Sequence, residues 1–128
     1  MAYNDFFDEI DNVMGVSSFG VIRVNAITGA DPNVLFAVGT IQVSITIFDV
    51  LIRCLFTDGG GTLAIETNIA AAGYVALTNA MACAADTTIA RQIQMTAAQA
   101  VVGPADAIQA NKAAGTNVGL VHLLFYLT

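Results

Sequence analysis

A stretch near the middle of the chain alternates strictly between apolar and polar side chains. The apolar positions are Ile41, Val43, Ile45 and Ile47, and the positions between them are Gln42, Ser44 and Thr46. A repeat of two residues places the apolar side chains on one face of an extended chain, as in a half-buried β-strand. The apolar run continues to Phe56 and stops at a glycine-rich turn over residues 58–61. The chain is therefore predicted to be all-β.

From Gly20 onward, short segments rich in β-branched residues alternate with turn signals. The stretch 40–56 is too long for one ordinary strand, so we expect a β-bulge or a corner near Asp49. Extended segments are predicted at 21–27, 34–38, 40–56, 62–66, 73–78, 87–95, 107–113 and 118–128. Turns are predicted at 28–32, 58–61 and 103–106, and a hairpin connection is predicted at 114–117. The alanines of 69–72 favour the start of a helix. We predict about eight strands over residues 20–128, in a β-sandwich or a jelly-roll-like fold.

Residues 1–19 form a separate N-terminal arm in this interpretation. Phe6, Ile10 and Val13 recur at helical spacing, and four acids, Asp5, Asp8, Glu9 and Asp11, occupy the remaining positions. The pattern predicts a short amphipathic helix. It either packs on its own domain or docks its apolar stripe, which includes Phe7, on a neighbouring subunit.

The last predicted strand, 118–128, is apolar at nearly every position. A strand that is apolar on both faces belongs in the interior of a sheet or at a subunit interface. We therefore expect Leu124 and Tyr126 to contribute to subunit packing, together with Phe6, Phe7 and Ile10 of the arm.

The chain carries few charges for its length of 128 residues. Charged residues make up 11% and hydrophobic residues 56%, with a formal net charge of −6. Soluble monomers rarely expose large apolar patches, so we expect other copies or another protein to cover much of the surface. The four cations, Arg23, Arg53, Arg91 and Lys112, are scattered along the sequence, which argues against direct binding of nucleic acid. The apolar stretches 41–56 and 69–85 are too short or too weakly apolar for membrane spans.

The sequence offers no arrangement of residues typical of an active site. His122 is the only histidine, and it lies among apolar residues, which favours a structural role over that of a general base. The spacing of His122, Cys54 and Cys83 does not fit a zinc site. Apolar or small neighbours on both sides of each cysteine favour buried free thiols over a disulfide between Cys54 and Cys83. We expect neither an enzyme nor a bound cofactor or metal.

The chain resembles the small virion proteins of tailed bacteriophages that decorate or cement the head. The resemblance rests on the run NVLFAVGTIQVSITIF, the glycine-rich turn followed by residues 62–68, the small-residue stretch after it, and the terminal segment 119–126. It covers about residues 20–128. The acidic N-terminus and the alanine-rich middle depart from the pattern of that class.

The resemblance implies a structural role on a capsid. Decoration proteins of this class are β-sandwich or jelly-roll-like modules, often trimers, that bridge neighbouring major capsid proteins and stabilise the shell. It implies a homotrimer made in the host cytoplasm and located on the capsid surface of the virion. Two other hypotheses stay open: another virion component, such as a head-fibre base, tail or shell subunit, and a carbohydrate-binding β-sandwich.

Overall fold

The chain forms two antiparallel β-sheets that pack on one core. The computed structural model describes residues 19–26, 32–56, 61–82, 89–92, 95–113 and 118–127. These residues form ten strands and one helical turn: β1 (Phe19–Ala26), β2 (Asn33–Phe36), β3 (Ile45–Phe56), β4 (Thr62–Asn68), β5 (Tyr74–Ala76), β6 (Met81–Ala82), β7 (Ile89–Gln92), α1 (Ala97–Ala100), β8 (Val101–Val102), β9 (Ala107–Ala113) and β10 (Val118–Leu127). The predicted all-β class is confirmed.

Each sheet contains five strands. Sheet A has the order β1-β10-β3-β7, and β8 pairs with the N-terminal end of β3. Sheet B has the order β2-β9-β4-β5, and β6 pairs with the start of β4. All pairings are antiparallel. The architecture is that of a β-sandwich.

Both sheets contribute one face to the core. In β4 every second residue is buried, namely Leu63, Ile65 and Thr67, as the period-two pattern requires. The other core side chains include Ile45, Ile47, Val50, Ile52, Cys54, Val121 and Leu123 of sheet A and Ile108 and Ala110 of sheet B. Thr67 donates its hydroxyl to the carbonyl of Gln99, 2.9 Å away, and so ties β4 to α1.

A bulge divides β3 into two halves. Leu124 of β10 lies opposite Asp49 and Phe125 lies opposite Ile47, which leaves Phe48 as the extra residue. The buried apolar positions of β3 are odd-numbered before the bulge, at Ile45 and Ile47, and even-numbered after it, at Val50, Ile52 and Cys54. One inserted residue has this effect because strand side chains alternate with a period of two. The bulge predicted near Asp49 is confirmed.

Two predictions of local structure are wrong. Residues 41–44 are not part of a strand, and Val43 is 54% exposed although Ile41 is buried. Residues 69–72 form a tight turn between β4 and β5 instead of starting a helix. The amide of Ala72 donates to the Ile69 carbonyl at 3.0 Å, and φ is positive at both central residues, Ala70 and Ala71. This is the pattern of a type I′ hairpin turn.

The connection at 114–117, predicted to be a hairpin, joins two different sheets. Residues 114–117 lie outside the described residues, but the strands on either side are described. β9 pairs with β2 and β4 of sheet B, whereas β10 pairs with β1 and β3 of sheet A. The hairpin prediction is wrong, because sequence does not show which strands will pair. The interior position predicted for the last strand is confirmed.

The prediction of free thiols is also wrong. Cys54 is fully buried and disulfide-bonded, and the described residues include no free cysteine. The only other cysteine of the sequence is Cys83, which lies outside the described residues. The predicted helical arm, residues 1–19, lies outside the described residues except for Phe19, the first residue of β1.

Candidate functional site

The candidate site is the outer face of sheet A, the side that points away from the core. Val50, Ile52, Val121 and Leu123 point inward, so the residues between them in β3 and β10 point outward. The register adds two residues of β7, since Ile89 lies opposite Arg53 and Arg91 opposite Leu51. The outer face of sheet A therefore includes Thr46, Phe48, Asp49, Leu51, Arg53, Ile89, Arg91, Val101, Leu120, His122, Leu124 and Tyr126.

Most of this face is apolar. Ile89 is 62% exposed and Tyr126 is 45% exposed, while Leu51, Leu120 and Leu124 are half-buried. The rings of Phe48 and Tyr126 stack with their centroids 5.9 Å apart and an interplanar angle of 26°. Phe48 follows the inward-facing Ile47, and Tyr126 lies opposite Thr46, so both rings belong to the outward-facing rows of neighbouring strands. An apolar outer face is unusual for a sheet that meets only water on that side.

The same sheet collects three of the four cations of the chain. Arg53 and Arg91 are exposed on the outer face, and Arg23 of β1 lies opposite His122 in the register. Sequence analysis finds these arginines scattered, because 30 or more residues separate each from the next. Strand pairing over long sequence distances brings them together, so an acidic chain presents a sheet with a local excess of positive charge.

Asp49 and Arg91 form an ion pair across β3 and β7. Nη2 of Arg91 lies 2.7 Å from Oδ2 of Asp49, and Nε of Arg91 donates to both carboxylate oxygens, at 3.0 and 3.2 Å. Asp49 is 3% exposed, whereas the side chain of Arg91 is 60% exposed. The hydrogen bonds and charge of Asp49 raise the pKa of Arg91 above its ordinary value. The pair compensates a buried carboxylate at the bulge and keeps Arg91 fixed on the outer face.

His122 lies in the middle of the outer face and is half-buried. Its Nδ1 atom is buried and accepts or donates no hydrogen bond within the described structure. Its neighbour across the strand pair is Leu51, and no carboxylate among the described residues orients its ring. This geometry lacks the hydrogen-bonded third group that fixes a catalytic histidine.

A second feature is the end of the sandwich at which β4 ends and β9 begins. We define the loop end as residues 37–44, 69–73 and 103–106. Asp106 is buried and accepts hydrogen bonds from the amides of Ala70 and Gly103, both at 2.8 Å. The amide of Gly39 donates to the Pro104 carbonyl at 2.9 Å. These bonds connect the three loops into one rigid unit.

The outer face of sheet B differs from that of sheet A because it is polar. Gln109 donates to one carboxylate oxygen of Glu66 at 2.6 Å, and Asn111 donates to the other at 3.4 Å. Tyr74 is 36% exposed and lies opposite Asn68, on the same face as Glu66. An exposed aromatic ring thus lies near a cluster of amide and carboxylate groups.

The structure locates two of the five predicted interface residues. Leu124 and Tyr126 both lie on the outer face of sheet A, whereas Phe6, Phe7 and Ile10 lie outside the described residues. Sequence analysis named no other member of this face as an interface residue, and the ones it missed include Phe48, Arg53 and Ile89. The alternation of Ile45 and Ile47 extends to Phe48 and places it outward, but the positions of Arg53 and Ile89 depend on the bulge in β3 and on the pairing of β3 with β7.

Comparisons with known proteins do not identify the chain. It matches no protein-family model, and no curated protein is detectably similar to it in sequence. No helix within the described ranges is long and apolar enough to cross a membrane. Nor does the described part of the chain bring together three or more histidine, cysteine or acidic side chains as metal ligands.

Proposed function

We propose that this chain is a structural virion subunit that decorates a capsid and cements neighbouring shell proteins. The observation that carries the proposal is the outer face of sheet A. It combines exposed Ile89 and Tyr126 with half-buried leucines, so a solvated monomer would leave an apolar sheet face in contact with water. A subunit that functions within an assembly covers such a face with a partner.

The rest of the molecule supports a mechanical role. Cys54 is buried and disulfide-bonded, and hydrogen bonds connect the loops of the loop end; both kinds of bond limit local opening. A cement subunit acts by adding interface area between shell proteins, and a rigid module transmits force without deforming. A stable protein interface buries about 1,200–2,000 Å² in total. One face of a five-stranded sheet provides a large part of that area.

The proposal is tested with heads of the virus that encodes the chain, assembled after deletion of its gene. We expect the purified chain to sediment with expanded heads and to raise the temperature at which they release DNA. The variant Phe6→Asp/Ile10→Asp should lose binding while its far-UV circular dichroism stays that of a β-protein. Heads that neither bind the wild-type chain nor change in stability would contradict the proposed function.

The polar outer face of sheet B favours a second candidate, the binding of a carbohydrate. Exposed aromatic rings stack on sugar rings, and amide and carboxylate groups bind sugar hydroxyls. Tyr74 and the Glu66–Gln109–Asn111 cluster supply both kinds of group on one face. Chemical-shift changes at Asn68 and Asn111 on titration with simple hexoses, lost in Tyr74→Ala, would support this candidate over assembly alone.

A further inference from the structure

We infer that the outer face of sheet A binds the acidic N-terminal arm of a second copy of this chain. The inference rests on the proposed function and names the partner that its docking face would take. Two independent properties of the face fit those of the arm. Both surfaces carry apolar side chains, and their charges are opposite in sign.

The apolar parts of the two surfaces correspond. The sequence pattern predicts an amphipathic helix between Asn4 and Gly15 with Phe6 and Ile10 on one side. The outer face offers Tyr126, Ile89 and the half-buried leucines as an apolar surface. A helix of 11 residues is about 16 Å long, and four strands span about 14 Å from the first to the last. One such helix therefore crosses sheet A from β1 to β7.

The charges of the two surfaces are complementary. The arm carries four of the ten acids of the chain within residues 5–11. The outer face exposes Arg53 and Arg91, and Arg23 belongs to the same sheet. Complementary charges fix the orientation of a docked segment and speed its association. The opposite sheet offers no such match, because the carboxylate of Glu66 lies on its outer face.

The position of the arm allows its exchange between copies. The described structure begins at Phe19, which lies opposite Tyr126 at one end of the outer face. Residues 15–18, Gly-Val-Ser-Ser, join the arm to β1 and reach about 14 Å when extended. An arm attached at the edge of its own docking face binds the same face of another copy at low cost. Three copies that bind one another in this way form a closed ring.

The native mass of the wild type separates exchange between copies from an arm bound within one chain, and mixing two variants tests whether the arm and the face bind each other. The arm variant is Phe6→Asp/Ile10→Asp, which leaves the face intact. The face variant is Arg53→Glu/Tyr126→Asp, which changes exposed side chains and leaves the arm intact. A control variant, Val34→Asp/Val75→Asp, adds negative charge at exposed positions of sheet B. Far-UV circular dichroism verifies that each variant is folded.

The arm variant and the face variant, each measured alone, should have the native mass of a monomer, 13.3 kDa. Mixed in equal amounts, the two should form a 1:1 complex of about twice that mass, because each supplies the surface that the other lacks. The control variant should keep the native mass of the wild type. A mixture that stays monomeric while the wild type is oligomeric overturns the inference. If viral heads still bind the wild-type chain in that case, the further inference is wrong but the proposed function is not contradicted.

Discussion

At the scale of single residues, the contact between Asp49 and Arg91 organises the outer face of sheet A. The carboxylate of Asp49 is buried at a bulge and depends on the guanidinium of Arg91 for compensation. Arg91, in contrast, has most of its side chain in water. Removing the two partners should therefore have unequal effects, since only one of them would be left buried without a counter-charge.

We predict that Arg91→Ala lowers the free energy of unfolding clearly more than Arg53→Ala does. Arg53 is an exposed arginine on the same face, and its removal should change stability by less than about 0.5 kcal/mol when all variants are compared in the Phe6→Asp/Ile10→Asp background, which we expect to be monomeric. Adding Asp49→Asn to Arg91→Ala should recover part of the loss, because it neutralises the uncompensated carboxylate. Urea unfolding of the four proteins measures these differences. Equal midpoints for the two single arginine variants would contradict the assigned role of the pair.

Residue types alone predicted neither this pair nor the disulfide of Cys54. The distance from Asp49 to Arg91 along the chain is 42 residues, and only the pairing of β3 with β7 brings them together. The apolar neighbours of Cys54 correctly indicate burial but contain no information about a bonding partner. Contacts of this kind depend on the register between distant strands, which a single sequence does not specify.

At the scale of elements, the β4–β5 turn has a conformation that its residues disfavour. The φ angles of Ala70 and Ala71 are +52° and +59°. A left-handed conformation costs an L-residue other than glycine about 1–2 kcal/mol. The hydrogen bond from the Ala70 amide to Asp106 anchors the turn to the loop end and thereby offsets part of this cost.

We predict that Ala71→Gly stabilises the protein by about 0.5–1 kcal/mol. Glycine removes the steric cost of the positive φ angle but loses more chain entropy on folding, which reduces the gain. The matched control is Ala72→Gly, at an exposed neighbouring position without a positive φ angle, which should destabilise by about 0.5–1 kcal/mol. Thermal unfolding of both variants measures the difference. A loss of stability in Ala71→Gly equal to that of the control would show that the turn is not strained.

The strands differ in how well the sequence predicts them. The alternation of Leu63 and Ile65 agrees with the prediction because β4 has one clear inward face. The bounds of β9, 107–113, agree because the turn signal at 103–106 precedes it. The alternation of residues 41–44 wrongly predicts a strand. A turn with a positive φ angle at Gly39 precedes these residues, and the side chain of Gln42 donates to the Gly39 carbonyl. A period of two is thus not sufficient where local hydrogen bonds hold the backbone in a loop.

At the scale of the whole molecule, the two outer faces have opposite character. The outer face of sheet A is apolar with exposed arginines, and that of sheet B is polar with a central carboxylate. The composition predicts that partners cover part of the surface but does not say which part. Only the pairing of the strands places the apolar residues on one face. The predicted interface residues Leu124 and Tyr126 lie on that same face.

Self-association through the apolar sheet face is the central claim, and the native mass of the purified chain tests it most directly. Light scattering across a dilution series should give a trimer of about three times 13.3 kDa, and Arg53→Glu/Tyr126→Asp should reduce it to a monomer. The control Val34→Asp/Val75→Asp should remain trimeric. A wild-type chain that is monomeric at every concentration would contradict the claim.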